Sequence, residues 1–382
     1  MSYPRMMAGV PALNAGLYRT AGFLVGDPVV WIELGPPSDE RHFILRDIEL
    51  DRARRLSRAT HCWCPNDFSP PTGLSGDRET ATAQSAAEFF VRRNISEVTV
   101  DRSIPMIFVH AMTERGIRVV CDTEWGLIER RQKSAEEIEK IAYAQKQTEV
   151  VMERACRFIA RATPNASGIL HADGGILTAE RIQSLIDVWL LELGFSSPGS
   201  IVACGPIGAD CHDHGHGPLV TGQPIIVDIF PRDKKTLYNG DCTRTVVHGD
   251  IHPKVAEMHA AVARAKAAAC KVIRAGISGD YVHQATIASI TADGYKMGLP
   301  PDGADDNYTA MTHGTGHGLG LEVHEPPLLA IGGPELLVGD VVTVEPGLYC
   351  KAFGGVRLED MVVVTEHGHT NLNKLHEGLD WS

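Results

Sequence analysis

The stretch His313-Gly-Thr-Gly-His317-Gly-Leu-Gly-Leu-Glu-Val-His324-Glu-Pro-Pro327 spaces three histidines among four glycines. His313 and His317 stand at i and i+4, which on a helix would put both imidazoles on one face, as in the H-E-x-x-H zinc enzymes. Gly314, Gly316, Gly318 and Gly320 argue against a helix, since each costs about 1 kcal/mol relative to alanine in a helix interior. The segment therefore reads as strand-like or irregular backbone lying close to a ligand. It is not a dinucleotide loop, because the glycines are not spaced G-x-G-x-x-G and three histidines have no purpose in one.

Working outward, further segments place acids in or beside β-branched apolar runs. Ile225-Ile-Val-Asp228 leads to Asn239-Gly-Asp241-Cys-Thr-Arg244-Thr245. Val342-Thr-Val-Glu345-Pro-Gly347 follows the histidines, and Gly355-Val-Arg357-Leu-Glu359-Asp360 comes after it. A lone buried carboxylate is costly, so each must be protonated, paired with a cation or bound to metal. Arg244 or Arg357 could answer any one of them. Taken together, Asp228, Asp241, Glu345, Glu359 and His317 outnumber the nearby cations. The four carboxylates carry −4, which two divalent ions balance. Carboxylates shared between ions, with one imidazole, are the donor set of a hydrolytic two-metal centre. Upstream, His212, His214 and His216 alternate in His-Asp-His-Gly-His-Gly, so a strand would put all three on one face. The glycines favour a loop instead, with one imidazole facing the site and the others solvated.

The surrounding pattern is α+β. Ser134 and Glu137 form an S-x-x-E capping box that starts a long helix, with Pro164 marking its end. A second helix opens at Thr178 and closes before Gly194, a third runs from Pro253 to Gly276, and a fourth covers residues 280–293. Strands fall between them at residues 201–203, 225–229, 243–248, 341–345 and 361–364. Two helix pairs, each followed by strands, suggest two similar αβ halves sharing a single ligand-bearing sheet. A boundary near residues 130–133 separates this region, 131–382, from residues 1–130. There, strands are expected at 23–34, 42–45, 98–101 and 117–121, with helices at 79–93 and 107–115. That smaller α/β region carries no concentrated chemistry and reads as a folding and assembly domain.

The chain of 382 residues, 43% apolar and 22% charged, can bury a substantial core without structural metal or disulfides. Its 36 Lys and Arg against 48 Asp and Glu leave a net charge of −12 and no basic run, which excludes nucleic acid as a partner. No stretch of about 18 uncharged apolar residues suggests a membrane span. Without a secretory signal, the nine scattered cysteines read as reduced thiols in a cytoplasmic protein. Cys62-Trp-Cys64 is too tight for the usual zinc pair.

The four chemistry-bearing segments, in this order, resemble the pita-bread metallopeptidases: methionine aminopeptidase, aminopeptidase P, prolidase and their creatinase-like relatives. The resemblance covers about residues 133–365, and residues 1–130 resemble the extra domain of the prolidase and aminopeptidase P branch in length and coarse pattern. It implies a C-terminal pita-bread fold with pseudo-twofold αβ halves. It also implies five ligands for two divalent ions, manganese first, with cobalt, zinc or iron as alternatives. Asp228 would chelate one ion, Asp241 and Glu359 would bridge both, and His317 and Glu345 would complete the second. His212, His313, His324 and Arg357 match further family positions. Asp228 and Asp241 lie two residues further apart than is usual in the family, and His212 lies one residue nearer Asp228.

The implied activity is hydrolysis of the peptide bond preceding proline by a metal-bridging hydroxide, as an Xaa-Pro aminopeptidase or Xaa-Pro dipeptidase. Glu345 would take the proton, and His212 and His324 would steady the tetrahedral intermediate and the leaving group. The implied partner is a proline-containing peptide, and the implied assembly a homodimer. The alternatives are a related lyase or hydrolase acting on a small non-peptide substrate, and a binding module that has kept its metal. Residues 325–344 contain no Lys or Arg to anchor a dipeptide's free carboxylate, which points to peptides longer than two residues.

Overall fold

The computed structural model describes residues 4–382 and divides the chain into two compact units, Met1–Arg130 and Arg131–Ser382. In the first unit a six-stranded sheet runs in the order His61–Trp63, Arg41–Ile44, Val29–Glu33, Arg5–Gly9, Glu97–Asp101, Arg118–Asp122. Its central strands are apolar on both faces because both are covered. Met6, Val30 and Ile32 pack with Phe89, Phe90 and Phe108 on one side. Met7, Val29 and Trp31 pack with Leu17, Phe23 and Trp125 on the other. The strand expected over 23–34 is shorter, Val29–Glu33. Pro28 has no N–H for a ladder, and Asp27 beside it turns out to pair with Arg46 and Arg78.

The second unit begins as its sequence predicts. The Ser134 hydroxyl accepts from Glu137 N (3.3 Å) and the Glu137 carboxylate accepts from Ser134 N (2.8 Å), starting the helix Ala135–Ala160. Its buried stripe of Ala144, Val151, Met152, Ala155 and Ile159 packs on Val227, Ile229, Cys242 and Val246. With Ala179–Glu192 it precedes a three-stranded antiparallel sheet of Ser200–Cys204, Pro224–Ile229 and Cys242–Val247. The second half repeats the plan. Helices Pro253–Val272 and Gly279–Ala292 precede a five-stranded sheet ordered Glu325–Leu329, Gly316–Gly318, Val341–Val344, Asp360–Val364, His369–Asn371. A four-stranded sheet contains Gly347–Cys350 and Gly354–Arg357.

One expectation is corrected here: the acids and His317 are divided between two sheets. Asp228 lies in the three-stranded ladder and Asp241 immediately before its strand Cys242–Val247, while His317, Glu345 and Glu359 lie in or beside strands of the five-stranded one. The three- and five-stranded ladders are separate; Leu358 and Glu359 lie in no strand, and Leu358 N–H donates to Pro346 O (3.3 Å). The two ladders meet where Glu359 N donates to Thr243 O (3.2 Å). The Thr245 hydroxyl reinforces that junction, donating to Arg357 O (3.0 Å) and accepting from Arg357 N (3.1 Å).

Entry to the strand that leads into Glu345 is fixed by a buried ion pair. Arg131 Nε and Nη2 donate to the two carboxylate oxygens of Asp340 at 3.1 and 2.6 Å, and Nη2 also reaches Glu335 O (2.6 Å). Asp340 is fully buried. Removing one partner of such a pair strands the other in a medium that solvates it poorly. Arg131→Met is therefore expected to lower unfolding free energy by about 3–5 kcal/mol. In a urea double-mutant cycle, adding Asp340→Ala to Arg131→Met should cost less than Asp340→Ala alone.

Candidate metal centre

Period-two alternation along Pro224–Ile229 sends Ile225, Val227 and Ile229 into the main core and aims Asp228 and Ile226 at the other face. Asp241 opens the neighbouring strand, and its backbone is clasped by one side chain. Gln145 Nε2 donates to Asp241 O and Asp241 N donates to Gln145 Oε1, both at 2.8 Å. His317 sits in the short strand Gly316–Gly318, whose glycines permit a close approach: a Cβ on Gly316 would lie 2.0 Å from Thr343 O. The strand-like placement predicted for this histidine segment holds. Thr343 then serves two neighbours, accepting from His317 N (3.1 Å) and donating to Glu345 Oε1 (3.1 Å).

These elements converge. One ligand atom each from Asp241, His317 and Glu359 lie within 4.8 Å of one another. His317 Nε2 is 3.4 Å from Glu345 Oε1 and 3.8 Å from Asp241 Oδ2. Its Nδ1 lies 3.1 Å from Gly318 O, so the proton belongs on Nδ1 and the Nε2 lone pair faces the carboxylates. Asp228 joins the group through Arg357, whose Nη2 donates to Asp228 Oδ2 (2.7 Å). All five line one cavity of about 630 Å³, together with His212, His214, His313, His324 and Arg357. Its apolar wall includes Ile201, Phe230, Val323 and Leu328.

The remaining predicted residues fall in distinct places. His324 stacks edge-on to His317 with ring centroids 4.3 Å apart. His313 Nδ1 lies 2.8 Å from Gly314 O, so its Nε2 accepts from the Tyr349 hydroxyl (2.7 Å). Both His212 and His214 line the cavity, while the His216 side chain is 70% exposed. This corrects the expectation of a single facing imidazole. His214 is held there because its carbonyl accepts from Val202 N (2.9 Å) and Gln183 Nε2 (2.5 Å). Sequence reasoning missed Gln145, Thr243, Thr343 and Tyr349. The threonines are ordinary strand formers, Tyr349 follows Gly347 and Leu348 with no chemical signature, and Gln145 lies in a helix with no local signal.

Electrostatics define what the site accepts. Arg357 is spent on Asp228, on Tyr349 OH (3.0 Å), on Cys211 O (3.1 Å) and on Thr243 Oγ1 (3.2 Å). Among the described residues, Asp241, Glu345 and Glu359 pair with no Lys or Arg. Burial first, then the mutual repulsion of the acids, holds the Asp241 and Glu359 carboxyls well above the ordinary range. Burial also raises Glu345, and it lowers the imidazoles of His313, His317 and His324. Asp228 Oδ1 is buried with no hydrogen-bond partner. One orphaned carboxylate oxygen, further acids that pair with no Lys or Arg among the described residues, and an outward lone pair on one imidazole fit hard or borderline divalent cations.

A family model described as Metallopeptidase family M24 matches residues 139–366. A probable dipeptidase PepE of Mycobacterium tuberculosis is 35% identical over 176 residues, 45% of this chain and 43% of that protein. An Xaa-Pro dipeptidase of Pyrococcus furiosus is 34% identical over 143 residues, 37% of this chain and 38% of that one. The matched stretch thus spans less than half the length of these curated relatives. Among solved structures, the Xaa-Pro dipeptidase from Bacillus anthracis gives a TM-score of 0.79 at 22% identity, covering 98% of this chain and 94% of that one. The prolidase from Pyrococcus furiosus gives 0.76 at 21%, covering 98% and 97%. These likenesses are of fold, and they match the α+β pita-bread architecture expected from the sequence.

The raised carboxyl pKa values carry a measurable consequence. Below the ordinary carboxylate range Asp241 and Glu359 are protonated whether the chain is folded or not. As pH rises through their raised folded values, the metal-free fold gives up protons it holds more tightly than the unfolded chain, and stability falls. A divalent cation that binds the ionised acids reverses this. At a hundredfold excess over its Kd it adds about 2.7 kcal/mol, or ~5–10 °C in a unit of this size. Thermal unfolding with and without MnCl2 should show a stabilisation that grows from pH 5 to about pH 8, following the sign of that linkage.

Proposed function

Because the chain belongs to metallopeptidase family M24, we propose that it hydrolyses the peptide bond preceding proline with the aid of two divalent metal ions. The observation that carries this reading is the cavity in which Asp228, Asp241, His317, Glu345 and Glu359 converge with one engaged guanidinium among them. The preference for proline rests on the Xaa-Pro dipeptidase of Pyrococcus furiosus and on the likeness to prolidases. The apolar wall of Ile201, Phe230, Val323 and Leu328 suits a peptide's uncharged side chains, including proline. Residues 1–130 are read as the N-terminal domain of the same branch, in keeping with solved structures that cover 98% of the chain. A homodimer in a reducing, cytoplasmic setting belongs to this reading, and the nine unpaired cysteines support the setting.

Asp228 would hold one ion, Asp241 and Glu359 would be shared, and His317 and Glu345 would complete the second, with manganese the first choice. When bound, such ions supply Lewis acidity and a water of lowered pKa. The chain's own groups do the rest. Glu345, its carboxyl raised by burial, is suited to take a proton and pass it to the leaving nitrogen. The exposed rings of His212 and His324 can donate to the carbonyl oxygen as it gains charge. His313, Tyr349 and Arg357 form a hydrogen-bonded chain that ends on Asp228 and fixes its orientation.

Two outcomes test the assignment. Asp241→Ala or Glu359→Ala should lose both ions, while Glu345→Ala keeps one, as elemental analysis of purified protein would read. His324→Ala should keep both ions yet lose about 10²–10⁴-fold in kcat on an Xaa-Pro peptide. An ion-free His324→Ala would make that imidazole a ligand.

Substrate length follows from the charge inventory. Arg357 is the cavity's one lining Lys or Arg among the described residues, and each of its three nitrogens already donates to a protein partner. A dipeptide's carboxylate next to proline would therefore enter without a cationic partner, a loss on the order of a few kcal/mol. Peptides of three or more residues are the expected substrates, against the dipeptidase names of the relatives. Ala-Pro-Ala should exceed Ala-Pro in kcat/KM by about tenfold or more, each factor of ten being ~1.4 kcal/mol. A preference for Ala-Pro would reverse the length assignment and leave the metal site standing.

A further inference from the structure

Strand Cys242–Val247 sorts its side chains by parity. Thr243 and Thr245 face the metal centre: Thr243 Oγ1 donates to Glu359 Oε2 (2.8 Å) and Thr245 Oγ1 to Arg357 O (3.0 Å). Arg244 must then project to the opposite face, where Cys242 and Val246 pack in the core. There it is fully buried. Its Nη2 donates to Asp360 Oδ1 (2.9 Å), and Asp360 Oδ2 also takes Lys266 Nζ (2.6 Å) and Asn371 Nδ2 (2.8 Å). Lys266 in turn reaches Glu377 Oε1 (2.8 Å). Two cations meet two anions, so Arg244's charge is balanced on its own side of the strand.

What remains of its fork is geometry. Nη1 donates to two backbone carbonyls, Thr243 O (2.9 Å) and Glu359 O, and Nε donates to His376 O (2.9 Å). One guanidinium therefore ties together the backbones on which Asp241, Thr243 and Glu359 are mounted. It anchors them to residues 376–381, where Leu379 O accepts from Val247 N (2.9 Å) and Trp381 is buried. Resting on the reading of Asp241 and Glu359 as shared ligands, we propose that Arg244 is a positioning residue for the metal centre. It sets the separation of the two carboxylates without touching ion or substrate. A lysine would satisfy Asp360 but cannot span two carbonyls and His376 at once.

The test compares Mn²⁺ binding by metal-stripped full-length wild type, Arg244→Lys and Lys266→Met, by equilibrium dialysis, with circular dichroism and melting of the metal-free forms alongside. Lys266→Met removes a cation from the same cluster but no bond to Glu359 or Thr243, so it reports a purely structural role. Wild type and Lys266→Met should bind two ions with affinities within about twofold. Arg244→Lys, folded by circular dichroism, should bind about 10–100-fold more weakly, the range seen when groups orienting metal ligands are removed. Unchanged affinity in Arg244→Lys, or an equal loss in Lys266→Met, would overturn the inference while leaving the metal reading intact. Wild type that binds no Mn²⁺ would overturn both. Should Arg244→Lys fail to fold, Asp360→Asn loosens the same guanidinium. A loss of about threefold or more supports the inference, since partners of metal ligands act on affinity, and no loss overturns it.

Discussion

Four carboxylates gathered around one cavity, three of them buried and Glu345 half-buried, are the constraint on which the second unit is built. Each prefers water, each repels the others, and the cavity offers them one guanidinium. Counting Arg357 against Asp228, Asp241, Glu345 and Glu359 leaves a charge of −3 (+1 − 4). Two divalent ions would turn that into an excess of +1, the sign wanted opposite a carbonyl oxygen that is acquiring negative charge. A fold can tolerate such a cluster without its counter-ions only by holding protons, and the raised positions of Asp241 and Glu359 express this.

Holding repelling groups a few ångströms apart requires that none can swing away, and the structure supplies this with uncharged donors. Thr243 fixes Glu359, Thr343 fixes Glu345 and the His317 backbone, and Gln145 fixes the Asp241 backbone. Neutral partners leave the negative potential largely intact, where lysines would have cancelled it. Apart from Arg357 on Asp228, ion pairing is kept one layer out, in Arg131–Asp340 and in the cluster of Arg244, Lys266 and Asp360. An unbalanced inner layer inside a balanced outer one keeps the site receptive and the surrounding fold determined.

The parts of this that could be read from sequence are those with local signatures. The capping box at Ser134 and Glu137, the apolar strands ending in acids and the glycine-spaced histidines each announce a backbone state or a buried charge. The α+β halves followed from them. The strand expected over 23–34 is confined to Val29–Glu33 because Pro28 offers no ladder N–H, whatever the apolar content before it. The expected single sheet is divided, and Leu358 and Glu359, which lie between strands, carry no break signal in their composition. Gln145 was invisible because its partner lies 96 residues away and glutamine is common in helices. That His214 joins His212 at the cavity has no local signal, because its carbonyl is held by Val202 and Gln183, from different elements.

The two arginines show how much a period of two can decide. Arg244 and Arg357 look equivalent in sequence, each close to an acid. In Asp241-Cys-Thr243-Arg244, the residues at even spacing from Asp241 face the cavity and Arg244 is out of phase. In Arg357-Leu-Glu359-Asp360, Arg357 shares the phase of Glu359, and Leu358 and Asp360 are out of phase with it. Alternation thus pairs Arg244 with Asp360 on the far side and leaves Arg357 inside for Asp228. A one-residue slip in either strand would exchange these roles and put an uncompensated charge on each side. The register is therefore guarded by electrostatics as well as by packing, and the strands that carry the acids are held in place by the cost of misplacing their neighbours.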